Sequence, residues 1–315
     1  MASTLAPKKP AVADRTFSVL SLVCGLAVLV ILALIAISTT SHAAPALRHS
    51  GLSFLTSSTW DPNTNQFGAL AFIYGTLLTS FIALFLAVPV SLGIALFLTE
   101  IAPLRLKTPV VYVVDLLAAV PSVVYGLWGI LVLAPKLGPI YGHVTNATKN
   151  IPILRTLLSG GTSGRSFFTA GLVVALMITP IITSLSREVF EVVPPGQKEA
   201  ALALGATRWE MIRRALVPYG RSGIVGAVLL GLGRAMGETI AVTLLIGSSA
   251  QITLRLFASG DSMAATIANQ FGEATGLARS AYIGLGVVLF GVTIIVNATA
   301  RSILNRSERR LGTKI

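Results

Sequence analysis

The chain holds 315 residues, 54% of them hydrophobic and 11% charged, with a mean hydropathy of +0.81. Soluble domains carry roughly a quarter charged residues, so these figures exclude a water-soluble enzyme, a disordered chain and a disulfide scaffold, and they place the bulk of the protein in a lipid bilayer. The 24 basic against 12 acidic residues give +12, and the one cysteine, Cys24, allows neither an internal disulfide nor a thiolate metal cluster.

A bilayer core of about 30 Å takes roughly 20 apolar residues at 1.5 Å each. In chain order, six stretches qualify. They are 17–37; 69–98, interrupted by Pro89; 110–134, with Asp115 near its start and Pro121 inside; 166–186, containing Pro180; 222–247, containing Arg234 and Glu238; and 280–300, closed by Arg301. The predicted fold class is all-α integral membrane with six transmembrane helices. Residues 17–304 form the membrane domain between tails 1–16 and 305–315. The first stretch exceeds the roughly 7–15 residues of a secretory h-region, so an uncleaved span is expected.

Six spans put both termini on one side, and basic residues say which. With the termini inside, 16 Lys and Arg lie in inner segments, among them Lys8, Lys9, Arg15, Arg187, Arg301 and Lys314, against seven outside and Arg234 within a span. Both tails are therefore expected to be cytoplasmic, and the net charge is orientation signal rather than a footprint for nucleic acid. Two outer linkers are long. Residues 39–68, with His42, Trp60 and Asp61, and 135–165, rich in Gly, Thr, Asn and Ser, read as solvated loops or as a docking surface for an extracytoplasmic partner. The sequons at Asn146, Asn297 and Asn305 read as chance matches, and no internal repeat is evident.

The chemistry of an enzyme is missing. His42, His49 and His143 are scattered, and Asp14, Asp61, Asp115 and Asp261 never cluster, so no metal-ligand spacing exists. Neither G-x-S-x-G nor a phosphate-binding G-x-x-x-x-G-K-[ST] occurs. No catalytic or metal-binding residue is expected, and the chain has no ATPase site of its own. Transport, conduction or assembly remain.

The longest inner loop, 187–221, carries ten charges. Pro194-Pro195-Gly196 stops the preceding span, the Ala- and Leu-rich run that follows favours helix, and Gly205 permits a sharp turn between two short helices. As a single helix instead, Ala201, Leu204, Met211 and Ile212 would share a face opposite Glu199, Glu210 and Arg213. Glu199-Ala200-Ala201, then Leu204-Gly205, Arg208 and finally Pro218 resemble the EAA loop of ABC importer membrane subunits. Ala215 and Val217 stand where that pattern has Ile and Leu. The resemblance implies a short helix that docks in a groove of a separate ATPase subunit and carries its motion into the membrane. An interfacial amphipathic linker is the bland alternative.

Arg234 and Glu238 lie near the middle of stretch 222–247. An arginine at mid-membrane costs about 2.5–3.5 kcal/mol on insertion scales, so it must face protein or a water-filled path. At i and i+4 on a helix the two side chains can meet, and Gly233-x-x-x-Gly237 lets a neighbouring helix approach. A guanidinium suits an oxyanion through planar, bidentate donors; a buried pair that only fixes helix packing is the alternative. Ser122, just after Pro121, can satisfy the carbonyl that the proline orphans, or line the path. Asp115 is expected near the inner headgroups.

Gly233-Arg234-Ala235-Met236-Gly237-Glu238-Thr239 is similar to the R-A-x-G-E-T stretch of phosphate-specific ABC permeases. So is Val120-Pro121-Ser122-Val123-Val124-Tyr125-Gly126-Leu127. Ser58-Thr59-Trp60-Asp61-Pro62, with Gly75-Thr76-Leu77 and Leu98-Thr99-Glu100, resembles the PstC-type subunit rather than its PstA-type partner. The resemblance implies a type I ABC importer in which two such permeases sit on two copies of a PstB-type ATPase that binds ATP and Mg. A PstS-type binding protein delivers inorganic phosphate at a bacterial cytoplasmic membrane, and Arg234 and Glu238 act in translocation. The rival readings are a permease for another oxyanion (sulfate, molybdate or phosphonate) and a channel.

Overall fold

Lipid offers no partner to a bare backbone group, so charge-poor runs must close their hydrogen bonds internally. In the computed structural model, which describes residues 12–310, six helical runs among the described residues are long and apolar enough to span a membrane. They are Asp14–Ser50, Leu70–Ile101, Ser122–Thr148, Phe167–Glu191, Arg208–Gly237 and Gly276–Ser302. The elements in order are α1 (Val12–Ser50), α2 (Ser53–Thr56), β1 (Trp60–Asp61), β2 (Gln66–Phe67), α3 (Leu70–Leu96), α4 (Leu104–Ala119), α5 (Ser122–Trp128), α6 (Ala134–Thr148), α7 (Pro152–Leu157) and α8 (Phe167–Glu191). There follow α9 (Pro195–Ala203), α10 (Arg208–Met211), α11 (Val217–Gly237), α12 (Ile240–Ile246), α13 (Met263–Gln270) and α14 (Gly276–Arg310). β1 and β2 pair antiparallel as a two-stranded hairpin.

Three of the runs contain a π-helical turn: Phe97–Ile101, Gly129–Leu133 and Ile212–Leu216. Each ends two residues before a proline, namely Pro103, Pro135 and Pro218. The residue just ahead of each proline donates its N–H five residues back: Ala102 to Phe97, Ala134 to Gly129 and Val217 to Ile212. A proline ring clashes with the carbonyl four residues earlier and supplies no N–H. A wider turn moves that carbonyl aside. In the second and third cases the helix continues through the proline.

Four expectations change. Stretch 110–134 is two helices, because Val120 and Pro121 are extended (ψ 127° and 141°), and the segment able to cross is Ser122–Thr148. The inner loop is shorter than 187–221: α8 runs to Glu191, and the fifth span begins at Arg208, not 222. That span also ends at Gly237, not 247. The linker 39–68 is not a solvated loop. α1 extends to Ser50, and Trp60 sits among Phe67, Phe72 and Tyr282 with ring centroids 5.1–5.2 Å away. The inner basic residues Lys8, Lys9 and Lys314 lie outside the described residues.

The core has three parts. Around the long parallel pair α3 and α8, whose contacts run from Gly75 beside Phe167 to Ser91 beside Thr179, Ile82, Val173, Ile178 and Ile182 meet Val242, Leu245 and Ile246 of α12. At one end Phe54, Phe67, Phe72, Met263 and Tyr282 pack beneath the hairpin. At the other, Ala95, Phe190, Met211, Ile212 and Leu216 close the bundle against α9. α1 meets this core through its last turns, where Ala43 and Ala46 are buried and Leu47 packs beside them; from Phe17 to Ile35 it is bare, as a lipid-facing helix must be.

The segment after α12 folds back into the bundle. A Cβ on Gly75 would lie 1.8 Å from the Asp261 carbonyl oxygen, so only glycine lets α3 pass there. The Asp261 carboxylate accepts the Ser262 N–H at 2.8 Å and is buried. Burial outweighs that bond and pushes its pKa up to about 6. The folded state therefore holds a proton that the unfolded chain releases near pH 4. Stability is lost as pH rises from about 4 to 6, by about 3 kcal/mol. Asp261→Asn keeps an acceptor for Ser262 and removes the charge. In detergent it should melt higher than the parent at pH 7.5 and lose the parent's slope between pH 4 and 6; an unchanged slope refutes the assignment.

Candidate translocation and coupling sites

α11 ends at Gly237, so Arg234 lies in its last turn while Glu238 is already in the break, with extended backbone (ψ 125°). The two side chains form no ion pair with each other, contrary to the i, i+4 expectation. Glu238 is buried, and its Oε1 accepts the Ala241 N–H at 3.4 Å. A carboxylate at the first turn of α12 is compensated by that helix's N-terminal dipole and needs no arginine. Arg234 is exposed on the flank of the chain.

The stretch 120–127 comes to the same place. Gly126 is so close to α12 that a Cβ there would sit 3.0 Å from the Ala241 Cα, which presses α5 onto α12. Tyr125 Oη donates to the Leu117 carbonyl at 3.0 Å. Pro121 offers that carbonyl no N–H, and it is satisfied by Tyr125 together with a longer bond from the Val120 N–H at 3.4 Å, not by Ser122, which opens α5 half-buried. Arg234 lies within electrostatic reach of the same Tyr125 phenol. Sequence reasoning quoted Tyr125 in a motif and gave it no role; its spacing of four from Pro121 was the available signal.

The expected close approach at Gly233 and Gly237 is not made inside the chain. A Cβ on either would meet nothing within 4 Å. Gly237 and Arg234 share an open flank with Leu230 and Ile240, 60% and 46% exposed.

At the other end, the loop takes the two-helix form. Gly205 has φ +83°, a conformation that a side chain disfavours. Thr207 then starts α10 with a reciprocal capping box to Glu210. Ala201, Met211 and Ile212 face the core, but Leu204 does not join them; it is 90% exposed. Glu199, Ala200, Gly205 and Arg208 are exposed too. A groove of ≈520 Å³ beside α9 is lined by Glu100, Lys198, Glu199, Leu202, Arg208 and Trp209, among others. Lys198 Nζ bonds Glu100 Oε1 at 2.6 Å, fixing α9 to the end of the Leu70–Ile101 span; sequence gave no hint of this pairing. Lys107 and Glu191, 2.9 Å apart, tie α4 to α8. Asp115 is exposed on α4.

A six-span helical bundle with a bare helix–turn–helix at one end and an exposed guanidinium on an open flank has the build of a transporter's membrane subunit. Residues 91–312 match the family described as "Binding-protein-dependent transport system inner membrane component", and the chain belongs to that family. It is 45% identical over 304 residues to "Phosphate transport system permease protein PstC" of Mesorhizobium japonicum, covering 96% of this chain and 93% of that one. To the protein of the same description from Haemophilus influenzae it is 46% identical, covering 91% and 92%. Among solved structures, it superposes on a chain of a bacterial ABC transporter involved in the import of the acidic polysaccharide alginate, with TM-score 0.59, 15% identity and coverage of 93% and 99%. An inward-facing MetNI methionine ABC transporter gives 0.55, 17%, 75% and 94%. The fold is that of a type I ABC importer transmembrane domain.

Proposed function

We propose that this chain is the PstC-type permease subunit of an ATP-driven importer of inorganic phosphate. The observation that carries this reading is the unshared guanidinium of Arg234. With Glu238 engaged by α12, the arginine's donors remain available, beside Tyr125, on a flank that a second permease of PstA type covers. A desolvated arginine bordering a shared aqueous path binds a tetrahedral oxyanion through its planar donors. The high identity to proteins described as phosphate permeases supports phosphate over sulfate, molybdate or phosphonate.

The chain supplies no ATP site. Two PstB-type ATPases bind ATP and Mg, and one of them docks on this chain's loop through Leu204, Leu202 and the exposed face of α9. A PstS-type binding protein brings phosphate to the opposite face. The excess of Lys and Arg around the loop supports a bacterial cytoplasmic placement for that end and for both termini. The test is the complete complex in vesicles with its binding protein. ATPase activity and uptake should rise with phosphate and not with sulfate; stimulation by sulfate instead, or phosphate flux through the isolated chain without ATP, overturns the proposal.

A further inference from the structure

On the face opposite the coupling loop lies a second cavity, of ≈1060 Å³. Lys149, Arg155 and Arg255 line it together with hydroxyl and glycine backbone groups, and none of its lining residues is acidic. These three cations make no ion pair among the described residues. Like charges gathered in one recess repel one another, a cost that an anion offsets.

The recess is held together by backbone. Leu256 N–H bonds the Leu157 carbonyl at 2.8 Å, and Gly160 bridges to Phe257. Thr145 Oγ1 holds the Leu158 carbonyl at 2.8 Å, so α6, α7 and residues 251–259 form one wall. Beneath it the Tyr141 and Phe257 rings stack with centroids 4.0 Å apart. Gly247 and Ser249, also in the lining, directly follow α12. Seven helical residues rise about 10 Å, so the cavity sits about that far along α12 from the break at Glu238 that follows Arg234.

We infer that this recess is an oxyanion antechamber, a second and weaker station that gathers phosphate released at the outer face before it reaches Arg234. The inference rests on the importer reading for its direction. A volume far larger than a bare phosphate suits a hydrated ion held by field rather than by a closed shell of donors. Recesses lined by one sign of charge raise local counter-ion concentration and on-rates about tenfold or more, and salt screens the effect.

The test uses the full complex in nanodiscs, with Cys24→Ser removing the native thiol and Ser249→Cys placing a reporter in the recess; Gln251→Cys is the second reporter. A sulfonate-bearing thiosulfonate should label the reporter about tenfold faster than a trimethylammonium analogue of the same size. That preference should vanish in the combined Lys149→Gln, Arg155→Gln, Arg255→Gln variant and at 1 M salt. Inorganic phosphate should slow labelling more than chloride of equal ionic strength. Equal rates for the two reagents, no labelling of either reporter, or protection by the binding protein but not by phosphate would overturn the antechamber. Uptake by the unlabelled complex reports separately on the importer reading, so phosphate uptake without charge preference sinks the recess alone.

Discussion

Arg234→Gln should abolish phosphate uptake while the assembled complex survives intact. Losing a charge-assisted contact in a desolvated path costs about 2–5 kcal/mol, or about thirty- to several-thousand-fold in rate. The fold has little stake in the residue: Arg234 is exposed, it holds no ion pair to Glu238, and a neutral Gln fits the last turn of α11. Assembly, read by size exclusion with both permeases and the ATPase, should match the parent, as should basal ATP hydrolysis. Arg234→Lys keeps the charge and loses the planar fork, so it should fall between the two. Uptake retained in Arg234→Gln would remove the anion role and leave the arginine as a packing group for the second permease.

Composition and charge patterning made the spans legible. Stretches 69–98 and 166–186 match α3 and α8 within a few residues at their starts, because a charge-free run of that length has one answer in lipid; Ser166 also caps α8, accepting the Thr169 N–H. The failures share a cause. Hydropathy sees length and charge but not backbone breaks. It therefore joined α4 to α5 across Pro121 and α11 to α12 across Glu238-Thr239, where apolar residues continue on both sides. It also assigned Arg208–Arg221 to a loop because that segment is charged, although a capping box and a π-turn ahead of Pro218 carry it directly into the fifth span. The Arg234 and Glu238 pair was placed correctly in the chain and wrongly in space. An i, i+4 argument holds only while the helix does. Pairings such as Lys198 with Glu100, 98 positions apart, depend on how α9 folds back, which no local pattern encodes.

That fold-back is what the second large effect probes. Glu199→Lys reverses a charge on the bare face of α9, and Gly205→Asp adds one at its tip. Nothing lies within 4 Å of a Cβ at Gly205, and Asp tolerates positive φ better than most residues, so each variant should fold. The loss falls on docking. A hot spot is worth about 2 kcal/mol or more, about thirtyfold in affinity, so the ATPase should dissociate on dilution or hydrolyse ATP with uptake reduced at least about tenfold. Normal coupling in both variants would count against the loop as the docking element. Lys198→Met separates docking from transmission. It leaves the exposed face of α9 unchanged and cuts the 2.6 Å tie to Glu100 at the end of the Leu70–Ile101 span. The ATPase should therefore stay bound and hydrolyse ATP while uptake per ATP falls. An unchanged ratio would mean that the stroke enters the bundle through Met211 and Ile212 rather than through Glu100.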